Sequence, residues 1–378
     1  MTEKTLIPGL EGIPCAASSV SFIDGIAGIL EYRGYDITTL ANHGTFEEVA
    51  YLLLYGELPK KDELVAFDAE LRANRVLKYP VLDIIKSLPS TGHPMKAIQA
   101  GVAVLGAFYP VDDLNNAHEQ RLASVRLIAQ LPTVVAAFHR ARQGDEPIAP
   151  NVELNHATNF LYMLDGQIPS AVISRTLDIA MILHMEHTMN ASTFTGRVVA
   201  STLADPYAVV SSAIGSLTGP LHGGANERAL EELREIPSVD AVDEIITGKI
   251  ERKDKIMGLG HRVYKTTDPR STLLQGLCAG VFAERGSAEI FDIARKVEEI
   301  ATGKLGHKGI FPNVDFYSGI LYDAMGIPSD LFTPIFAVAR VVGWLAHWKE
   351  QLIGNRIFRP TQIYVGHRQR PFTPMSDR

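Results

Sequence analysis

The chain has 378 residues, 46% of them hydrophobic and 21% charged, with a mean hydropathy close to zero. That is enough to bury a large core and more than one domain usually uses. The formal charge of −7, with acids and bases interspersed, excludes a broad polyanion-binding face, so any basic cluster must serve something small.

From the N-terminus, MTEKTLIPGLEG carries no charged-then-apolar signal pattern, and no run of about 18 uninterrupted apolar residues follows. Neither export nor a membrane span is expected. Cys15 and Cys278 stand far apart without CxxC or Cys/His spacing, which argues against a disulfide framework or a zinc site and fits a reducing cytoplasm. The first element expected is a β-hairpin, because VSFIDGIAGILEYRG sets apolar runs on either side of the short turn pair Asp24-Gly25. The pattern then becomes helical. Thr45-Phe46-Glu47-Glu48 reads as a capping box opening AYLLLY, closed by Gly56 and Pro59. KDELVAFDAELRANR, HPMKAIQAGVAVLGAFYP, LASVRLIAQLPTVVAAFHRAR, SAVISRTLDIAMILHMEH and PYAVVSSAIGSLTG follow, each with helical spacing or apolar nearly throughout. The last kind must lie at the centre of a helical body. No repeat period links these segments, so a solenoid is rejected.

Near residue 220 the composition shifts. To about residue 326 the helices are expected to be shorter and more charged, as in ANERALEELREI and IFDIARKVEEIATG, with glycine-rich loops between them. Long apolar helices resume at DLFTPIFAVARVVGWLAHW, which reads as a buried helix because Pro334, Arg340 and His347 interrupt it. A mainly α, two-domain architecture is expected, with a large domain of residues 1–219 and 327–378 and a small domain of residues 220–326 set into it. Loops joining such bodies form clefts and hinges.

Several charges stand where a helix does not favour them. Asp268-Pro269 is a strong helix start, so Arg270 falls in the first turn, opposing the helix dipole unless an anion approaches. Arg340 lies in FAVARVVGWLA, where an unpaired charge is so unfavourable that a carboxylate of the protein or of a ligand must partner it. Arg359 precedes Pro360, which holds its backbone extended. Two histidines are flanked by glycine, His222 in GPLHGGANE and His261 in GLGHRVYK. Such loops allow a ligand close to both ring and backbone, and a nearby helix N-terminus keeps an imidazole neutral. HMEHTMNASTF contributes His184, Glu186, His187 and Asn190. It lacks a third ligand at metal spacing and is not HExxH, so no metal is expected. Asp315 falls in the first turn of the helix opened by PNVDFYSG, where an acid is favoured in any protein.

Taken in order, GPLHGGANE, GLGHRVYKTTDPR and PNVDFYSG closely resemble the citrate synthase family, and the similarity runs from GLEGIP to FRPTQIY. The short N-terminus is similar to the compact bacterial type, while EHTMNAST and the WKEQL and NRIFRPTQIY stretches are similar to cyanobacterial members. The resemblance implies condensation of acetyl-CoA with oxaloacetate, with His222, His261 and Asp315 as the catalytic set. It implies oxaloacetate binding by His187, Arg270, Arg340 and Arg359, the last reaching in from the partner subunit of a homodimer. It further implies coenzyme A contacts from Met257, Gly258, Leu259, Gly260, Lys265 and Lys308, and supporting roles for Ser192 and Asn190, Ser192 orienting the first catalytic histidine. Domain closure on oxaloacetate is implied too. No cofactor is expected, acetyl-CoA being a substrate; nor is a nucleic-acid or membrane partner. Two alternatives stand beside this reading: a 2-methylcitrate synthase using propionyl-CoA, since one methylene is decided by pocket shape, and a helical scaffold without turnover. Against the scaffold, every matched catalytic position is present.

Overall fold

A computed structural model describes residues 5–286 and 289–378. A single 3-10 turn at Pro8–Leu10 precedes the sheet. β1 (Ser21–Asp24) and β2 (Ile29–Tyr32) pair antiparallel, with Ser21 opposite Tyr32 and Asp24 opposite Ile29. The expected hairpin is present, but Asp24-Gly25 is not its turn. Asp24 is still paired, and residues 25–28 form the connection. Asp24 Oδ1 organises it by accepting from the N–H groups of Ile26 and Ala27, each at 2.9 Å, and Gly28 ends it at φ +72°. A third strand, β3 (Tyr35–Asp36), lies outside the expectation because two residues carry no alternation to read. It leads directly into the first helix, with Asp36 as N-cap.

The helices before residue 220 are α1 (Ile37–His43), α2 (Phe46–Tyr55), α3 (Lys61–Ala73), α4 (Tyr79–Lys86), α5 (Pro94–Phe108), α6 (Ala117–Arg142), α7 (His156–Asp165), α8 (Ala171–His184), α9 (Ala191–Ala200) and α10 (Pro206–Leu217). The capping box at Thr45 and Glu48 is reciprocal, and Gly56 closes α2 in the left-handed region. After residue 220 come α11 (Ala225–Arg234), α12 (Val242–Arg252), α13 (Pro269–Arg285), α14 (Glu289–Leu305), α15 (Val314–Ala324) and α16 (Phe332–Leu352). The expectation of shorter helices holds for α11, α12 and α15, at 10 to 11 residues, but not for α13 and α14, at 17 each. Charge on an outer face does not shorten a helix, which runs on while its apolar positions recur.

α16 runs through the centre, packed on α2, α6, α8, α9 and α10, with Trp344 and Trp348 wholly enclosed. By length and composition, α6 and the stretch Ser329–Leu352 could each cross a bilayer, but 89% and 94% of those windows are buried inside this protein. Their all-round apolar character is met by neighbouring helices. α11 to α15 pack chiefly on one another, α15 on α11 and α13, and α14 on α12. α13 also touches α1 and α8, which sets the loop before it beside the end of α8, while α9 packed on α10 brings the loops after residues 184 and 217 together.

Candidate active site

The loop after α8 ends at Asn190, whose side chain caps α9 by accepting from Thr193 N–H at 3.1 Å. That cap fixes Ser192, which is fully buried. Its hydroxyl, with one proton to give, lies 2.8 Å from both Asn190 Oδ1 and Nε2 of His222, and accepts from Trp344 Nε1 at 3.1 Å. The Ser192 backbone N–H points at the same Nε2 from 3.3 Å. A donor aimed at Nε2 requires its lone pair, so the neutral His222 ring carries its proton on Nδ1. Burial, with the charge of Arg340, lowers His222 to about 4. The turn that carries it needs glycine next door, since a Cβ on Gly223 would overlap the Leu217 carbonyl oxygen.

His261 has the opposite tautomer. Its Nδ1 accepts from the N–H groups of Val263 and Tyr264 at 3.0 and 3.2 Å, leaving the proton on Nε2. Burial, then Arg270, lowers it to about 4 as well. Its ring stands edge-on to His187, centroids 5.2 Å apart, and 4.9 Å from Tyr264. His187 is buried and held neutral by burial and by Arg270, and its Nε2 has no partner among the described residues. His184, the other half of the histidine pair, turns its Nδ1 to the Ala180 carbonyl at 2.6 Å.

The two helix arginines resolve differently. Arg270 does not stand alone at its helix start. Asp268, two residues before it and wholly buried, accepts from Arg270 Nε at 3.0 Å and from Nη2 at 2.7 Å, and also caps the helix through Arg270 N–H. The chain itself supplies the anion that the sequence reading left to a ligand, because an N-cap carboxylate is the nearest group that can fork onto a first-turn guanidinium. Arg340 has no carboxylate within ion-pair distance among the described residues. Its Nε donates to the His184 carbonyl at 2.6 Å and its guanidinium lies over the Phe336 ring, 4.5 Å from the centroid. Burial lowers it to about 10, against the field of Glu186. Glu186 is itself buried between His347 Nε2 and Ser21 Oγ, each at 3.0 Å.

Asp315 follows the N-cap Asn313, which accepts from the Asp315 N–H at 3.0 Å. No described donor bonds its carboxylate. Burial raises it to about 6, with Arg270 and Arg340 pulling the other way. The loop at residues 257–260 is laced to the start of the same helix: Gly260 N–H donates to Phe311 O, Asn313 N–H to Gly258 O and Asn313 Nδ2 to Gly260 O, at 2.8 to 2.9 Å. Met257 N–H donates to Glu232 at 3.0 Å. Much of the backbone expected to face a ligand is therefore already committed. The Gly258 N–H and the Met257 and Leu259 carbonyls remain without a partner among the described residues. Lys265 and Lys308 are both exposed, and the turn at Gly309 lies against Lys265, a Cβ there meeting it at 3.3 Å.

Arg359 is not gathered with the others. It is exposed on the segment after α16, outside any regular element. Conversely, Asp268, Tyr264, Phe336 and Trp344 shape the site and were not read as site residues, while Glu186 was noted beside its histidines without a role. Only Asp268 carried a signal, as an N-cap followed by an arginine; the rest depend on folding. The assembled groups are two neutral imidazoles offering N–H donors of opposite tautomer, a carboxylate raised toward neutrality, and two buried guanidiniums. That set suits an anionic substrate and proton abstraction next to a carbonyl.

The model of the family described as "Citrate synthase, C-terminal domain" matches residues 9–361. A citrate synthase of Synechocystis sp. is 53% identical over 379 residues, covering 100% of this chain and 96% of that relative. The crystal structure of citrate synthase from Pyrobaculum aerophilum superposes with a TM-score of 0.93 at 40% identity, covering 99% of this chain and 95% of that one. The ternary complex of carboxymethyl coenzyme A and oxaloacetate with citrate synthase from Thermoplasma acidophilum gives 0.93 at 31% identity, covering 100% of both chains.

Proposed function

The chain belongs to the citrate synthase family, and from that premise we propose how its residues divide the reaction. The activity is acyl transfer: acetyl-CoA condenses with oxaloacetate, and citryl-CoA is hydrolysed to citrate and CoA, at the entry to the tricarboxylic acid cycle. Acetyl-CoA is a substrate, and the family needs no cofactor.

The methyl group of a thioester is a very weak carbon acid, so a lone carboxylate near its usual pKa of about 4 is a poor base for it. In the proposed reading, Asp315, raised to about 6, takes the proton while the Nδ1–H of His222 donates to the thioester oxygen as negative charge develops. The resulting enol carbon attacks the ketone carbon of oxaloacetate. The ketone oxygen accepts from Nε2–H of His261 as it becomes an alkoxide, then takes that proton to become the hydroxyl of citryl-CoA, and the proton taken up by Asp315 balances the one His261 gives. Water then cleaves the thioester. The opposite tautomers carry this reading, since each directs one N–H donor to one of two carbonyl oxygens. His187, Arg270 and Arg340 hold oxaloacetate, Arg340 being a buried guanidinium without a carboxylate partner among the described residues. Lys265 and Lys308 face coenzyme A phosphate, with Met257 to Gly260 against the adenine.

The proposed domains are residues 1–219 with 327–378, and 220–326; the mutual packing of α11 to α15 supports the division. A homodimer is proposed, Arg359 serving the partner's site. Its exposure, and the exposed apolar Ile353, Ile357, Ile363, Tyr364 and Val365 along the same segment, support it. A cytoplasmic location is proposed on the cysteine pattern. Release of free thiol from acetyl-CoA only when oxaloacetate is present tests the reading, and propionyl-CoA run in parallel tests acyl preference. Thiol release without oxaloacetate would overturn the assigned order of steps.

A further inference from the structure

The connection between β1 and β2 lies on the segment that holds His261. Lys265 N–H donates to the Gly25 carbonyl at 2.8 Å. A Cβ on Gly25 would overlap the Val263 carbonyl oxygen, which is backbone and cannot swing aside. Gly28, at φ +72°, faces Thr266 Cγ2, 3.0 Å from where a Cβ would stand. Val263 and Tyr264 are the residues whose N–H groups fix the lone pair on His261 Nδ1. At their other ends the same two strands grip the residues around His187. Ser21 Oγ donates to Glu186 Oε1 at 3.0 Å and accepts from Thr188 N–H at 3.2 Å. The Tyr32 hydroxyl donates to the Glu186 carbonyl at 2.9 Å and accepts from the Glu186 N–H at 3.1 Å. A four-residue strand spans about 13 Å, so one short ribbon reaches both supports.

We propose that the hairpin Ser21–Tyr32 is a positioning element for the condensation, setting His261 against His187, and that Gly25 is the residue on which the placement of His261 depends. The inference rests on His261 being the group that polarises the ketone. A paired ribbon is stiffer than a loop, and its turn touches backbone rather than side chain. An error at Gly25 is therefore passed to Val263 and to the imidazole bonded beneath it. Misplacement by about 1 Å is enough to lower a rate about 100-fold.

The test is Gly25→Ala in the full chain, with Asp24→Ala as a second variant that removes the two turn hydrogen bonds without adding an atom, and Ile26→Ser at the exposed tip as control. Folding is followed by near-ultraviolet circular dichroism, and hydrogen exchange is read at the Lys265 amide. Gly25→Ala is expected to fold, to exchange faster at Lys265, and to lose about 100-fold in kcat with the acetyl-CoA KM within about twofold. Asp24→Ala should lose about tenfold in the same direction, and Ile26→Ser should match wild type. If Gly25→Ala does not fold, Asp24→Ala decides. Unchanged Lys265 exchange, or kcat within about twofold of wild type in the folded variant, overturns the proposal. His261→Ala is run alongside. Full activity there would sink the role given to His261, whereas the Lys265 exchange still reports whether the hairpin sets the loop.

Discussion

Asp268 and Arg270 are two residues apart and grip each other through both carboxylate oxygens inside the protein, at 3.0 and 2.7 Å. The pair turns a first-turn arginine from an electrostatic liability into a fixed, pre-aimed guanidinium. Arg270 is 2% exposed, so its geometry is set before any substrate arrives. Asp268→Asn should leave a buried charge unpaired and lower stability by about 3–5 kcal/mol. Oxaloacetate should restore part of the loss by mass action. Urea unfolding with and without oxaloacetate measures both, and a variant as stable as wild type would remove the structural role of the pair.

Asp315→Asn should abolish condensation while oxaloacetate binding, followed by calorimetry, stays largely intact. It should also be more stable than wild type at neutral pH. Burial raises the Asp315 carboxyl above its unfolded value, to about 6, so folding favours the protonated form. The associated stability is full below about pH 4 and lost as pH rises through 6. The amide removes that loss, up to about 3 kcal/mol at pH 7, and the gain should vanish below about pH 4. Condensation at a tenth of the wild-type rate would place the base elsewhere.

If Asp315 is the base, the same raised carboxyl governs the rate. kcat/KM for acetyl-CoA should climb about tenfold per pH unit below about 6, where Asp315 is still protonated, and then level off. No histidine limb is expected between 6 and 7, because His222 and His261 are both held down to about 4. A profile bending near 7, moving with His222→Asn, would contradict the neutral donors.

Ser192→Ala removes the hydroxyl between Trp344 and His222 and leaves Nε2 only the 3.3 Å backbone donor. A fall in kcat of about 10- to 100-fold is expected, with KM for oxaloacetate nearly unchanged. Trp344 emission should shift as its indole N–H loses its acceptor. An unaltered kcat would mean that the backbone alone orients the ring.

Co-expression of Asp315→Ala with Arg359→Ala tests the shared site. If each site takes Asp315 from one chain and Arg359 from the other, a mixed dimer gathers both lesions in one site and leaves the other intact. Random pairing then returns about a quarter of wild-type activity, though neither parent has any. Mixed dimers without recovered activity would confine Arg359 to a role outside the site.

What the sequence determined alone is whatever is written locally. The capping box at Thr45, the helix start at Asp268-Pro269 and the buried helix through Arg340 are each fixed by neighbours within about one or two turns, so they could be read before any fold was known. The three motifs that gather His222, His261 and Asp315 were legible as a resemblance. The tertiary structure decided what those residues are. The tautomer of His222 depends on Ser192, 30 positions away, and the setting of Arg340 on the His184 carbonyl, 156 away. The hairpin was legible, but its contact with Lys265 was not. Proton positions and pKa values follow from which donors, charges and apolar walls surround a group. Those neighbours come from distant parts of the chain and meet only when α9 packs on α10, α16 on α8, and α13 on α8.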